Sequence, residues 1–127
     1  MAVQAIAKGV RMSPRKVSVV ASLVRNRSVA DALTILEHTP RAAAKPVSKV
    51  IASARANAEH NHNYKPDSLQ IVSISVTPAS RITRYKKGRG YRGGYDRFQL
   101  KSSHISVTVD GEKRAPKKPA TRSMEAQ

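Results

Sequence analysis

A chain of 127 residues with 24 Lys and Arg against 8 Asp and Glu carries a formal charge of +16 and a pI near 11.0, which calls for a strongly anionic partner and leaves room for one modest core. With no cysteine it builds neither disulfides nor thiolate metal sites, and one Phe, four Tyr and no Trp leave a core of Val, Ile, Leu and Ala. No apolar run approaches the roughly 20 residues of a bilayer span, and the start MAVQAIAKGVRMSPRK lacks the apolar centre of a targeting peptide, so an intracellular protein is expected.

In chain order, residues 2–11 alternate weakly and are expected to form a short strand. Ser13-Pro14 marks a helix start, serine as N-cap and proline at the first helical position. Val17, Val20, Ala21 and Val24 then share one helical face. Ser28 opens a second helix, with Asp31 three residues on as a capping-box-like partner and Ala32, Leu33 and Leu36 as its apolar stripe. Thr39-Pro40 repeats the cap-and-proline signal and is expected to start a third helix reaching about His60, buried along Val47, Val50, Ile51, Ala54 and Ala58. An interior Pro46 removes one backbone bond, so this helix either bends or begins near Lys45. A polar turn over 61–68 leads to a strand at 69–77, and Ile105, Val107 and Val109 alternate cleanly in a strand at 104–109. The tail from Gly111, with Pro116, Pro119 and mixed charge, is expected to be disordered.

Between those last two strands lies RITRYKKGRGYRGGYDRFQLK, with eight basic residues, three tyrosines, four glycines and a single acid, Asp96. Unpaired charges are too costly to desolvate in a small core, so the segment faces water or an anionic partner. The spacing of Ile82, Tyr85, Phe98 and Leu100 lets two arms of about 12 residues continue past the core, roughly 40 Å of hairpin. The excess charge is uneven: residues 1–30 hold six basic groups and no acid, whereas residues 31–78 are nearly balanced. That asymmetry favours a docking surface over general solubility.

Few residues suit catalysis. His60 and His62 lie two apart, off a common helical face, and no carboxylate or thiol spacing completes a metal site. His104 beside Ser103 places adjacent strand residues on opposite faces, which defeats a nucleophile pair. Gly88, Gly90, Gly93 and Gly94 lack the GK[ST] and strand-helix context of a phosphate loop, and suit instead a narrow hairpin end. Arg15 and Lys16 stand in the first turn of a helix, where cations oppose the macrodipole. Either they point into solvent or a phosphate binds at that helix end. Tyr85, Tyr91, Tyr95 and Phe98 interleave with the hairpin arginines, as suits stacking on unpaired bases, while Phe98 packing between the arms is an equal alternative.

These residues carry a resemblance. The SPRK start at Ser13–Lys16, V-x-x-V-A-x-L from Val17, A-L-x-I-L from Ala32, A-x-A-N-A-E-x-N from Ala54 and the returning strand SSHISVTV resemble, in order and spacing over residues 3–110, the ribosomal large-subunit protein L-twenty-two family in its bacterial form. The resemblance implies an α+β fold: three helices packed on a small antiparallel three-stranded sheet, with a long protruding basic β-hairpin and a disordered C-terminal tail. It implies one domain over 1–110, with the hairpin at 79–102, and a tail over 111–127. It further implies a non-enzymatic structural constituent of the large ribosomal subunit, free of cofactors and membrane contact, whose hairpin lines the nascent-peptide exit tunnel while the body lies near the tunnel exit. The expected partners are large-subunit ribosomal RNA, neighbouring large-subunit proteins and the nascent peptide.

Carried over by position, Ser13, Pro14, Arg15 and Lys16 lie against ribosomal RNA, as do Arg81, Arg84, Lys86, Lys87, Arg89, Arg92 and Arg97 in the hairpin. Lys8, Arg11, Arg25 and Lys101 complete the expected RNA-binding set. Gly88, Arg89, Gly90, Tyr91, Arg92 and Gly93 form the expected tunnel tip, where YKKGRGYRGGY departs from the family's usual P-R-rich sequence. A free-standing RNA or DNA chaperone is the rival reading, and a metal-dependent nuclease, opposed by the scarcity of acids, a distant third.

Overall fold

The computed structural model describes residues 1–88 and 93–115. Strand β1 (Val3–Val10) precedes helices α1 (Pro14–Val24), α2 (Val29–His38) and α3 (Ala44–His62); a 3-10 turn at Pro66–Ser68 then leads to β2 (Gln70–Pro78), β3 (Ile82–Lys87), β4 (Tyr95–Leu100) and β5 (Ser103–Asp110). The body is the expected α+β unit. Its sheet runs β1-β5-β2, antiparallel throughout, so the last strand occupies the centre.

Alternation in β5 fixes which side of the sheet is dry. Val3, Val109 and Ile71 form one rung, Ala5, Val107 and Ile74 the next, and all six are buried. The opposite side carries Gln4, Ser73, Ser75, Ser106 and Thr108, with the Gln4 amide donating to Ser106 Oγ at 2.7 Å. The apolar side receives the helices: α3 lies on β1 and β5, α1 on β2, and α2 on α3. Val17, Val20, Val24, Val29, Ala32, Val47, Ile51, Ala54 and Ala58 complete the core, as their helical spacing predicts.

Local chemistry explains the helix boundaries. Ser28 Oγ accepts from the Asp31 backbone N–H at 3.2 Å, closing the cap of α2. Of the two expected starts of α3, the one at Thr39-Pro40 is corrected and the one near Lys45 is borne out. Thr39 ends α2, its hydroxyl donating to Ile35 O at 2.6 Å, and α3 begins at Ala44. Pro46 thereby falls in the first turn, whose N–H groups have no helical acceptor, so the ring removes no bond. At the other end, Asn63 adopts a left-handed conformation (φ 55°) and halts the helix.

Tyr64 follows that stop and is almost wholly buried, although the surrounding segment reads as polar. Its hydroxyl donates to the Met1 carbonyl. Burial pushes its phenol above the ordinary value of 10.0, and the Asp110 carboxylate adds to the effect. The chain just past β5 also holds to this corner. Lys65 N donates to Glu112 O at 2.9 Å and Arg114 N to Asn63 O at 2.7 Å, and Arg114 pairs with Glu59. Bonded structure thus continues beyond residue 110, where the body was expected to end; residues 116–127 lie outside the described range.

Strands β3 and β4 form a separate two-stranded ribbon. They pack chiefly on each other and make no extensive contact with any helix. Six paired residues per arm give about 20 Å of regular ribbon, the paired half of the expected projection. At the root, Ala79 N donates to Ser102 O at 2.9 Å.

Three outcomes follow for the free protein. Joining Ala79 to Ser102 through an Asn-Gly turn leaves a cooperatively folding body whose melting midpoint in calorimetry moves by less than about 4 °C; Ile51→Ala, a large-to-small change at a fully buried position, costs about 2–5 kcal/mol. Loss of cooperativity on excision means that the ribbon packs on the body. The third outcome concerns alkali. Because the folded-state pKa of Tyr64 is raised, its contribution to stability is complete below pH 10.0 and is lost as pH climbs through the folded value. Urea midpoints of the wild type therefore fall more steeply than those of Tyr64→Phe above that pH, and parallel curves refute the assignment.

Candidate nucleic-acid interface

The ribbon's register sorts its side chains onto two faces. Thr83 and Gln99, Tyr85 and Arg97, and Lys87 and Tyr95 stand directly opposite one another on one face; Ile82 and Leu100, Arg84 and Phe98, and Lys86 and Asp96 do so on the other. The first face thus carries two aromatic–cation pairs. Tyr85 is 65% and Tyr95 77% exposed, whereas Phe98 is only 38% exposed. Tyr85 and Tyr95 accordingly present rings to a partner, and Phe98 lies partly against the ribbon.

The end of the ribbon is narrow because its residues lack side chains. Gly88 N donates to Gly94 O at 2.6 Å, and a Cβ on Gly88 would meet that same oxygen at 2.6 Å, closer than any side chain tolerates. Gly93 takes a positive φ of 56° beside it. The remaining tip residues, Arg89, Gly90, Tyr91 and Arg92, lie outside the described residues.

A second cationic region lies where β1 hands over to α1. The N-cap Ser13 makes no side-chain bond into α1, and the first turn holds no acid. Lys16 N and Val17 N both donate to Ser13 O, at 3.1 and 3.3 Å, and Pro14 has no N–H. Of the first-turn amides only that of Arg15 is left for an anion, so binding there falls to the side chains of Arg15 and Lys16, both exposed. Just upstream, Gly9 (φ 69°) forms a bulge in β1 and its N–H donates to His104 Nδ1 at 3.0 Å. That bend turns the chain from the sheet toward α1.

The fold brings part of the expected set together. Arg11, Ser13 and Lys16 from the β1–α1 corner, Arg84 from β3 and Lys101 from the root line one cleft of about 660 Å³. Lys86, Lys87 and Arg97 extend this charge along the ribbon, and Arg81 stands exposed at the root. Lys8 is exposed on β1. Arg25 sits apart: its guanidinium donates to Ile74 O at 3.3 Å and ties the end of α1 to β2. Among the described residues the ion pairs are Lys65–Glu112 and Arg114–Glu59, so the cations of ribbon and cleft form no ion pair there, and Asp96, across from Lys86, is the one acid on the two strands. The described residues contain no cluster of three or more metal-ligating side chains. No described helix is long and apolar enough to cross a membrane.

The described residues form a helical body on a small sheet with a cationic ribbon, and the family this sequence matches is one of structural, non-enzymatic ribosomal proteins. The chain belongs to the family described as Ribosomal protein L22p/L17e, whose profile matches residues 5–110. It is 44% identical over 110 residues to a large ribosomal subunit protein uL22 from Herpetosiphon aurantiacus, covering 87% of this chain and 96% of that one. A protein of the same name from Desulfitobacterium hafniense is 44% identical over 106 residues, 84% of this chain and 91% of its own. One from Oceanobacillus iheyensis is 41% identical over 113 residues, with 89% and 98% covered.

Charge and stacking separate in a binding assay. Changing Arg84, Lys86 and Arg97 together to Gln flattens the log–log salt dependence of RNA binding by about two units, at roughly 0.7–0.9 per phosphate. Tyr85→Ala weakens binding to unpaired RNA about tenfold at fixed salt, the worth of one stacked base, and leaves that slope unchanged. Equal slopes for all three proteins remove the ribbon from the RNA interface.

Proposed function

We propose that this protein is a structural constituent of the large ribosomal subunit, where its cleft and ribbon bind large-subunit ribosomal RNA and hold crowded RNA segments together. The carrying observation is the ribbon itself: four basic side chains on β3 and β4, one acid, and, among the described residues, no ion pair to the body. Such a ribbon self-repels in isolation and gains by neutralising phosphates. The names of its relatives, all large-subunit proteins, support the particular RNA. The protein is then ribosome-bound in the cytoplasm, with neighbouring large-subunit proteins as further partners.

The narrow end at Gly88 and Gly94 suits a confined space, and on this reading the ribbon reaches the wall of the nascent-peptide exit tunnel, with the body near the tunnel exit. Arg89, Gly90, Tyr91 and Arg92 would then border the lumen and meet the nascent peptide.

Sedimentation in high salt tests the first part: an integral constituent stays with the large subunit, whereas a chaperone held by charge alone washes off. Substituting Tyr91 or Arg92 tests the second. Assembly persists, and the response to tunnel-binding drugs or stalling peptides changes. Variants that assemble and match the wild type toward every tunnel ligand place the tip away from the lumen.

A further inference from the structure

We infer that the cleft at the ribbon root is a pocket for a single unpaired nucleotide, its base lying on an apolar wall and its phosphates on the surrounding cations. The inference rests on the RNA-binding reading and adds to it a site and a ligand form. The cleft joins two kinds of lining. Arg11, Lys16, Arg84 and Lys101 supply positive charge, and no acid lines it. Met12, Ile82 and Leu100 supply an apolar wall, and Ile82 and Leu100 remain 56% and 44% exposed although they face each other across the ribbon.

Phosphate binding alone leaves that wall unexplained. An RNA duplex would offer the cations its phosphates and 2′-hydroxyls, yet its bases are stacked inside the helix and the wall would still face water. An extruded base has a π-face that covers apolar carbon, and it exposes polar edges. The Ser13 hydroxyl, at the cleft and without a bond into α1, is placed to meet such an edge. A volume of about 660 Å³ falls within the roughly 300–1,000 Å³ of small-ligand sites. A protein segment is the weaker occupant, because four cations without an acid select a polyanion.

The pocket is assembled from both ends of the fold. Arg11 and Lys16 belong to the body, Arg84 and Leu100 to the ribbon, and the Ala79–Ser102 bond holds the two together. A nucleotide seated here fixes the angle at which the ribbon leaves the body.

Two measurements on assembled large subunits test this. Leu100→Glu puts a carboxylate against the wall; chemical probing of the RNA then shows one or two nucleotides gaining reactivity about tenfold, the loss of one stacked base, with flanking paired tracts unchanged. Independently, Ile82→azidophenylalanine cross-links on illumination to a base among those same nucleotides, with Tyr95→azidophenylalanine as the ribbon control. If Leu100→Glu fails to enter subunits, the cross-link decides alone. RNA cross-links from position 95 but none from 82, a cross-link from 82 to protein or to a paired tract, or reactivity spread along a helix each overturn the pocket and leave RNA binding standing. Absence of RNA cross-links from both positions overturns the RNA-binding reading as well.

Discussion

The structure depends on where β5 pairs. It is the last strand in sequence and the middle strand of the sheet, bonded to β1 on one side and β2 on the other. Its inward residues Ile105, Val107 and Val109 are fully buried and carry both rungs of apolar contact to the neighbouring strands. Because β2 and β5 are adjacent and antiparallel, everything between Pro78 and Ser103 is a connection across one end of the sheet. The core sets no limit on its length or composition. A ribbon too charged to be buried therefore grows from this end without disturbing a single core contact, and β5 anchors its returning arm.

The same topology sets the electrostatics. Cations that would oppose each other inside a body are carried outward on a ribbon, or placed at the corner where β1 turns into α1. The body between them, residues 31–78, is nearly neutral by comparison and can pack three helices on a sheet at ordinary cost. A net charge of +16 still disfavours compactness through self-repulsion. On the proposed reading, a polyanion at the ribbon and its root would relieve that repulsion.

Much of the body was legible because its signals are local. Ser13-Pro14, the Ser28–Asp31 cap and the alternation of Ile105, Val107 and Val109 each act within one turn or one strand, and each appears where expected. Thr39-Pro40 misled because Thr39 serves the helix before it, through a bond to Ile35 O, rather than the helix after it. Tyr64 was hidden by its polar neighbours: its partners Met1 and Asp110 lie far along the chain, so no window around it reveals burial. The bonded residues past Asp110 escaped for the same reason, their partners being Asn63 and Lys65. The candidate site divides likewise. Its cations stood out by composition and the ribbon by its flanking strands, but the meeting of Arg11 and Lys16 with Arg84 and Lys101 is tertiary. So is the apolar wall: Ile82 and Leu100 read as residues of the two hairpin arms, and only the fold brings Met12 beside them.

On the proposed reading, the ribbon would combine two forces that respond differently to their surroundings. Cation–phosphate contacts weaken as salt rises, because each releases counterions on forming; stacking on Tyr85 and Tyr95 excludes water and depends little on salt. Register places Tyr85 opposite Arg97 and Tyr95 opposite Lys87 on one face, so both forces act on the same stretch of partner. Charge draws the polyanion in from a distance of about one Debye length, near 8 Å at physiological salt, but accepts any phosphate spacing. Rings act only in contact, and only on bases free of their own stack. A ribbon of arginines and lysines alone would adhere to any RNA surface; with tyrosines directly across from them, the tightest binding would go to RNA that presents unpaired bases beside its phosphates.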